Sequence, residues 1–217
     1  MLLSIGFGVF GEMILPGRII VAGNAMETAI NLAHPSLVRI SFATYLVEGI
    51  CDLGLAGFFY IVLRDVDKNL ALLSAFFGIA SMVTYATAQS SFFTASLSVS
   101  DSAGMGAFSP EQRAALAMLW VRRSETIATL FLALYGIATM LRGYLFLRSR
   151  YLPRVLGALL MLGGAGFFLR TITYLLAPAY SSPLMLLPMA LAGIPLMLWL
   201  LFRGGRIQLA SSTGAPL

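Results

Sequence analysis

The 217-residue sequence predicts an all-α, polytopic transmembrane helical bundle of about six membrane-spanning helices plus short interfacial helices, and three observations carry that prediction. Hydrophobic residues make up 59% of the chain and charged residues 11%, against roughly 45–50% and 25% in soluble domains. A water-soluble fold could not cover so much apolar surface. The apolar residues also fall into runs of about 20, the length of helix that crosses a bilayer. Those runs leave room for turns but for no separate soluble domain, so residues 1–206 read as a single transmembrane helical domain.

The first crossing is assigned to about residues 2–15. The segment has no basic n-region and no A-x-A cleavage site, so it does not read as a removable signal peptide. Fourteen or fifteen residues of helix reach only about 22 Å, short of the roughly 30 Å hydrocarbon layer, which points to a native start upstream of Met1. Residues 24–34 follow as an interfacial helix: Asn24 and Glu27 form a capping-box pattern before Ala29, Ile30 and Leu32, and Pro35 ends the run. The second crossing spans about 37–63 and ends in the charged turn Arg64 to Asn69. The third spans about 70–97.

A polar, glycine-bearing loop at 101–106 leads into Ser109-Pro-Glu-Gln112, with a capping serine, proline at the first helical position and glutamine at the third. The run that starts there is too long for one crossing. Residues 110–123, with Arg113, Arg122 and Arg123, are therefore placed at or above the interface and the fourth crossing at about 124–147. After the turn Arg148 to Arg154 comes a fifth crossing at about 155–177, whose Gly157, Gly163, Gly164 and Gly166 permit close helix contact. The sixth, about 183–202, carries Pro188 and Pro195, which bend it or free carbonyls for neighbours. Residues 207–217 are expected to form a disordered tail.

The formal charge of +5 does not mark a nucleic-acid protein, because the basic residues are scattered between apolar runs and form no stripe. They fit topology signalling and contact with anionic headgroups instead. One side carries Arg64, Lys68, Arg148, Arg150, Arg154, Arg203 and Arg206; the other carries Arg18, Arg39, Arg113, Arg122 and Arg123. The tight turns hold the larger group, which puts them and the C-terminus in the cytoplasm. A lone cysteine, Cys51, and a lone histidine, His34, exclude an internal disulfide and multi-cysteine or histidine-cluster metal sites. No metal or other cofactor is expected.

Ionisable groups at membrane depth point to function by default. Glu48 and Asp52 lie four residues apart on one face of the second crossing. Two bare carboxylates there require either protonation or a cationic partner. Arg170 on the fifth crossing sits at a depth matching Glu48, so a Glu48–Arg170 ion pair is expected. Gln89, Ser90 and Ser91, Thr126 and Thr129, and Tyr174 fall in the same outer layer. Glu48, Asp52, Gln89, Arg170 and Tyr174 are thus the candidate ligand-binding residues; the alternative is an interhelical polar network that fixes packing. Arg142, near the inner end of its helix, is expected to snorkel to the interface. There is no G-x-S-x-G, no H-E-x-x-H and no phosphate-cradling glycine loop, so no catalytic residue is assigned.

Tyr60-Ile-Val-Leu-Arg64 and Tyr144-Leu-Phe-Leu-Arg148 end two crossings alike, as two parallel-oriented hairpins or any two inward-ending helices would. From Gly6 onward the chain resembles the bacterial multi-pass membrane family called domain of unknown function 4386. The resemblance rests on Pro16 to Asn31, on Asp52 followed by Tyr60 to Arg64, and on Gly143 to Ser149 with Tyr151 to Gly157. It implies six or seven helices, a bacterial cytoplasmic (inner) membrane and no established activity. It also implies an acidic residue where this chain has Arg170 and a histidine where it has Ala138, so Glu48 and Arg170 read as a local exchange of charges.

Three functional readings follow. In the first, an outward-facing polar cavity binds or transports a small amphiphilic or anionic molecule. In the second, the chain is a structural or assembly subunit that packs on other membrane proteins through its glycine-rich fifth crossing. In the third, an intramembrane enzyme uses Glu48 and Asp52. The lipid bilayer is a partner in all three, and nucleic acid in none.

Overall fold

The computed structural model describes residues 2–100, 104–150 and 152–213. They contain helices and no strand: α1 (Leu2–Gly8), a π-helical stretch (Val9–Ile14), α2 (Leu15–Ile19), α3 (Ala25–Leu32), α4 (Pro35–Leu63), α5 (Lys68–Val99), α6 (Pro110–Arg148), α7 (Arg154–Leu176) and α8 (Leu187–Thr213). Among the described residues five stretches are long and apolar enough to cross a membrane: Ser36–Leu63, Lys68–Val99, Pro110–Arg148, Arg154–Leu176 and Leu184–Phe202. The architecture is an all-α multi-pass bundle with about five spans rather than six.

The difference lies at the N-terminus. Leu2 to Ile19 is helical throughout, but π winding over Val9–Ile14 leaves α-helical pieces of 7 and 5 residues. A π turn widens a helix without ending it, and the 7, 6 and 5 residues together rise by at most about 27 Å, still short of a roughly 30 Å crossing.

Elsewhere the local signals act as their chemistry dictates. Gly23 takes a φ of 78°, the left-handed conformation glycine adopts freely, and the Asn24 side chain then accepts from Glu27 N at 3.1 Å to start α3. At α6, Ser109 N donates to Gln112 Oε1 at 2.9 Å and Gln112 N to Ser109 Oγ at 3.3 Å, a complete capping box. That helix is one unbroken run of 39 residues, about 58 Å at the standard rise. Pro188 sits in the first turn of α8, where its missing N–H is harmless, and Pro195 lies inside the helix. The same helix continues to Thr213, past Arg206, through the helix-compatible Gln208, Leu209 and Ala210. The side chains of Arg203 and Arg206, and residues 214–217, lie outside the described residues.

The chain divides into two compact units, one of Met1–Asp52 with Val83–Ala128 and the other of Leu53–Met82 with Thr129–Leu217. Helices α4, α5 and α6 each supply a segment to both. In the first unit Ile19, Leu32, Val38, Phe92, Ala95, Ala117 and Val121 form a buried apolar cluster. Ring contacts join α4 to α5 there: Phe42 to Phe93 at 5.4 Å, and Tyr45 to Tyr85 edge-on at 5.3 Å.

The second unit is built on close backbone approach. A Cβ on Gly143 would lie 2.6 Å from the Gly157 carbonyl oxygen, and one on Gly136 would lie 2.6 Å from that of Gly164. One step further along the same seam, Thr171 Oγ1 donates to Thr129 O at 2.8 Å. Helix α8 covers another side of α7, where Gly163 lies against Met189 and Gly166 against the Met185 carbonyl. The glycines expected to face other proteins are therefore occupied within the chain, by α6 and by the residues around the start of α8.

Candidate functional site

The first unit gathers its polar side chains along one seam. Ser41, Thr44, Glu48 and Asp52 follow each other on α4 at steps of three or four residues, hence on one face, and that face meets the N-terminal helical run. Ser4 Oγ donates to Asp52 Oδ1 at 2.5 Å, and Ser41 Oγ donates to the Gly11 carbonyl at 3.1 Å. Between them Glu48 Oε1 fills the space over Gly8, 2.5 Å from where a Cβ would stand, and Thr44 Oγ1 fills that over Gly11. Partners at 4, 8 and 11 descend α4 through 52, 48 and 44, so the two segments run antiparallel. Small residues on one side admit polar side chains from the other, the usual means of bringing helices together in lipid.

Of the five residues selected from the sequence, three belong to this unit. Glu48 and Asp52 are half-buried in the seam. Gln89, on α5, is buried, and its Nε2 donates to the Tyr85 hydroxyl at 2.7 Å. The other two, Arg170 and Tyr174, occupy successive turns of α7 in the second unit. Arg170 is half-buried and its carbonyl accepts from Thr173 Oγ1 at 3.0 Å; Tyr174 is exposed.

One cation in the second unit departs from expectation. Arg142 is only 7% exposed, so it does not snorkel. Its guanidinium carbon stands 5.2 Å from the centre of the Phe59 ring and 5.8 Å from that of Tyr135. Nη2 lies 2.7 Å from where a Gly78 Cβ would be. A glycine on α5 makes the room and two rings supply the electrostatic complement, about 0.5–2 kcal/mol for such a contact. The rings do not satisfy the N–H groups in the guanidinium plane, and among the described residues nothing accepts from Nε. The signal was a lone arginine between Leu141 and Gly143 in an apolar run; depth alone does not distinguish snorkelling from burial, because that turns on Gly78, 64 residues earlier in the sequence.

Among the described residues no three of His, Cys, Asp and Glu come together as metal ligands. No match is found among curated proteins or among solved structures. The family described as "Domain of unknown function (DUF4386)" matches residues 1–204, nearly the whole helical chain, and the protein belongs to that family.

Proposed function

We propose that this multi-pass membrane protein is a non-enzymatic binder, and by extension a carrier, of a small anionic or amphiphilic molecule held among its helices. The observation that carries the reading is Arg142. A cation at membrane depth is costly and by default functional, and burial with no acceptor for Nε among the described residues leaves a strong in-plane donor. A carboxylate or phosphate headgroup supplies that acceptor, and Phe59 and Tyr135 offer apolar faces to the adjoining chain. The half-buried Arg170 on α7 is a second cation in the same unit. The Glu48–Asp52 pair, engaged by Ser4 and Gly8, is assigned to packing rather than to acid–base chemistry. On the distribution of basic residues we place the protein in a cytoplasmic membrane with its C-terminus inside.

The test uses sodium laurate and, as an uncharged control, dodecanol, with thermal unfolding of the protein in nanodiscs as the readout. At ten times its Kd a ligand stabilises by about 1.4 kcal/mol, about 3–6 °C for a chain of this size. Laurate is expected to raise Tm by that amount, dodecanol not to, and Arg142→Met to abolish the laurate shift while keeping its helical circular dichroism. An equal shift in Arg142→Met sinks the reading.

A further inference from the structure

Within the second unit, burial around Arg142 is uneven along the helix axes. Toward the basic turns, Leu63, Leu145 and Phe146 are each no more than 1% exposed, and the Phe59 ring lies 6.2 Å from that of Phe146. That side is a sealed apolar floor. In the other direction the rings are only half-buried. Tyr135 stands 5.8 Å from the guanidinium carbon, and its ring lies 5.5 Å from Phe131 and 6.1 Å from Phe167.

The lean of the two arginines follows the same axis. Side chains on a helix tilt toward its N-terminus, which on α6 is away from Arg148. Arg142 accordingly carries its guanidinium back to Tyr135, seven residues earlier, and this is a second reason why it does not snorkel. Helix α7 runs the other way. The contacts of 143 with 157 and of 129 with 171 set Arg170 level with residue 130, twelve residues or about 18 Å along the axis from Arg142. There the same tilt leans Arg170 back toward Phe167, one turn away. Among the described residues no carboxylate forms an ion pair with either arginine. Two uncompensated cations therefore lean toward each other along one column of rings.

We infer, resting on the reading of Arg142 as an anion site, that the ligand reaches it from the end of the unit where α7 finishes. Arg170 draws the anion in, the rings of Phe131, Tyr135 and Phe167 part to admit it, and the side of the basic turns stays shut. Methanethiosulfonate modification of cysteines placed along this route tests the inference, in nanodiscs and a Cys51→Ala background. Phe131→Cys and Tyr135→Cys are expected to react at least tenfold faster with the anionic sulfonatoethyl reagent than with the cationic trimethylammonium one, each normalised to its rate with a free thiol, because fixed cations concentrate anions locally. Arg170→Gln should lower that ratio at least threefold, and sodium laurate should slow modification of both cysteines. Ser149→Cys, buried beyond the floor, should react with neither reagent. Two reporters are used so that the folding of one variant does not decide the result, and circular dichroism checks each. Equal normalised rates for the two reagents, or a ratio untouched by Arg170→Gln, would overturn the route. So would laurate protection of Ser149→Cys alone, which would put the entrance at the basic turns. Those results leave the thermal shift with laurate in place; loss of that shift in the unmodified protein is the failure of the anion site itself, and this inference falls with it.

Discussion

Gly143 and Gly157 meet backbone to backbone: a Cβ on either would come within 2.7 Å of the other's carbonyl oxygen. The same reciprocity holds for Gly136 and Gly164. Within the bilayer no hydrophobic force presses helices together, so this approach rests on van der Waals contact that any side chain would interrupt.

Valine at Gly143 or at Gly157 should therefore destabilise by about 1–3 kcal/mol, the usual cost of overpacking. The control is Gly57→Ala: nothing lies within 4 Å of its would-be Cβ, and the change should be neutral or stabilise by up to about 1 kcal/mol. Thermal unfolding in nanodiscs compares the three, and a Gly143→Val protein as stable as the wild type would refute the seam.

Gly8→Val should drive the Glu48 carboxylate out of its place and loosen residues 2–19 from α4. Hydrogen exchange over that segment is expected to accelerate about tenfold, the equivalent of 1.4 kcal/mol within the range for overpacking. Ser4→Ala, which removes only the bond to Asp52, should cost about 1 kcal/mol. Unchanged exchange in both variants would mean that the N-terminal run is held by something other than this face.

Removal of the α3 cap offers a smaller, local effect. Asn24 accepts from Glu27 N and donates from Nδ2 to Glu27 Oε2 at 3.0 Å. Asn24→Ala should cost about 1 kcal/mol and Asn24→Ser, which keeps an uncharged acceptor beside the Glu27 carboxylate, much less. Amide exchange at Glu27 and Thr28 is the place to look, and equal protection in the two variants would argue against the cap.

Orientation is open to labelling because Cys51 is the only cysteine. In a Cys51→Ala background, cysteine introduced at Arg150 should react with an impermeant maleimide only after the membrane is opened, and cysteine at Gln112 should react from outside. The reverse pattern would invert the assignment made from the basic turns.

How legible was this molecule from its residues? Long elements were, because their signals are local: Ser109 and Gln112 cap α6 from three residues apart, and Asn24 caps α3 on its own. The N-terminal crossing was not, since hydropathy sees apolar Leu2 to Leu15 but not the wider π winding over Val9–Ile14 that shortens the reach of the run. The site was legible at Glu48 and Asp52 as a shared face, whereas what that face meets depends on Ser4 and Gly8, some 40 residues away. The burial of Arg142 is not legible for the same reason: it depends on Gly78 and Phe59, distant residues that no local pattern ties to it.

The contacts between α6 and α7 repeat at 129, 136 and 143 on one helix and at 171, 164 and 157 on the other. A straight α-helix does not return to the same face in seven residues; it drifts by about 20° each time. Two helices that keep touching at that interval must wind about each other in a left-handed supercoil, crossing near +20°. Glycine opposite glycine then acts as a ratchet. A slip of one or two residues would set a side chain against bare backbone, so the nearest equivalent register is a full heptad away, about 10 Å along the axis. Over residues 129–143 and 157–171 the two helices are thus keyed to each other, and a shift of either along its axis has to carry the other with it.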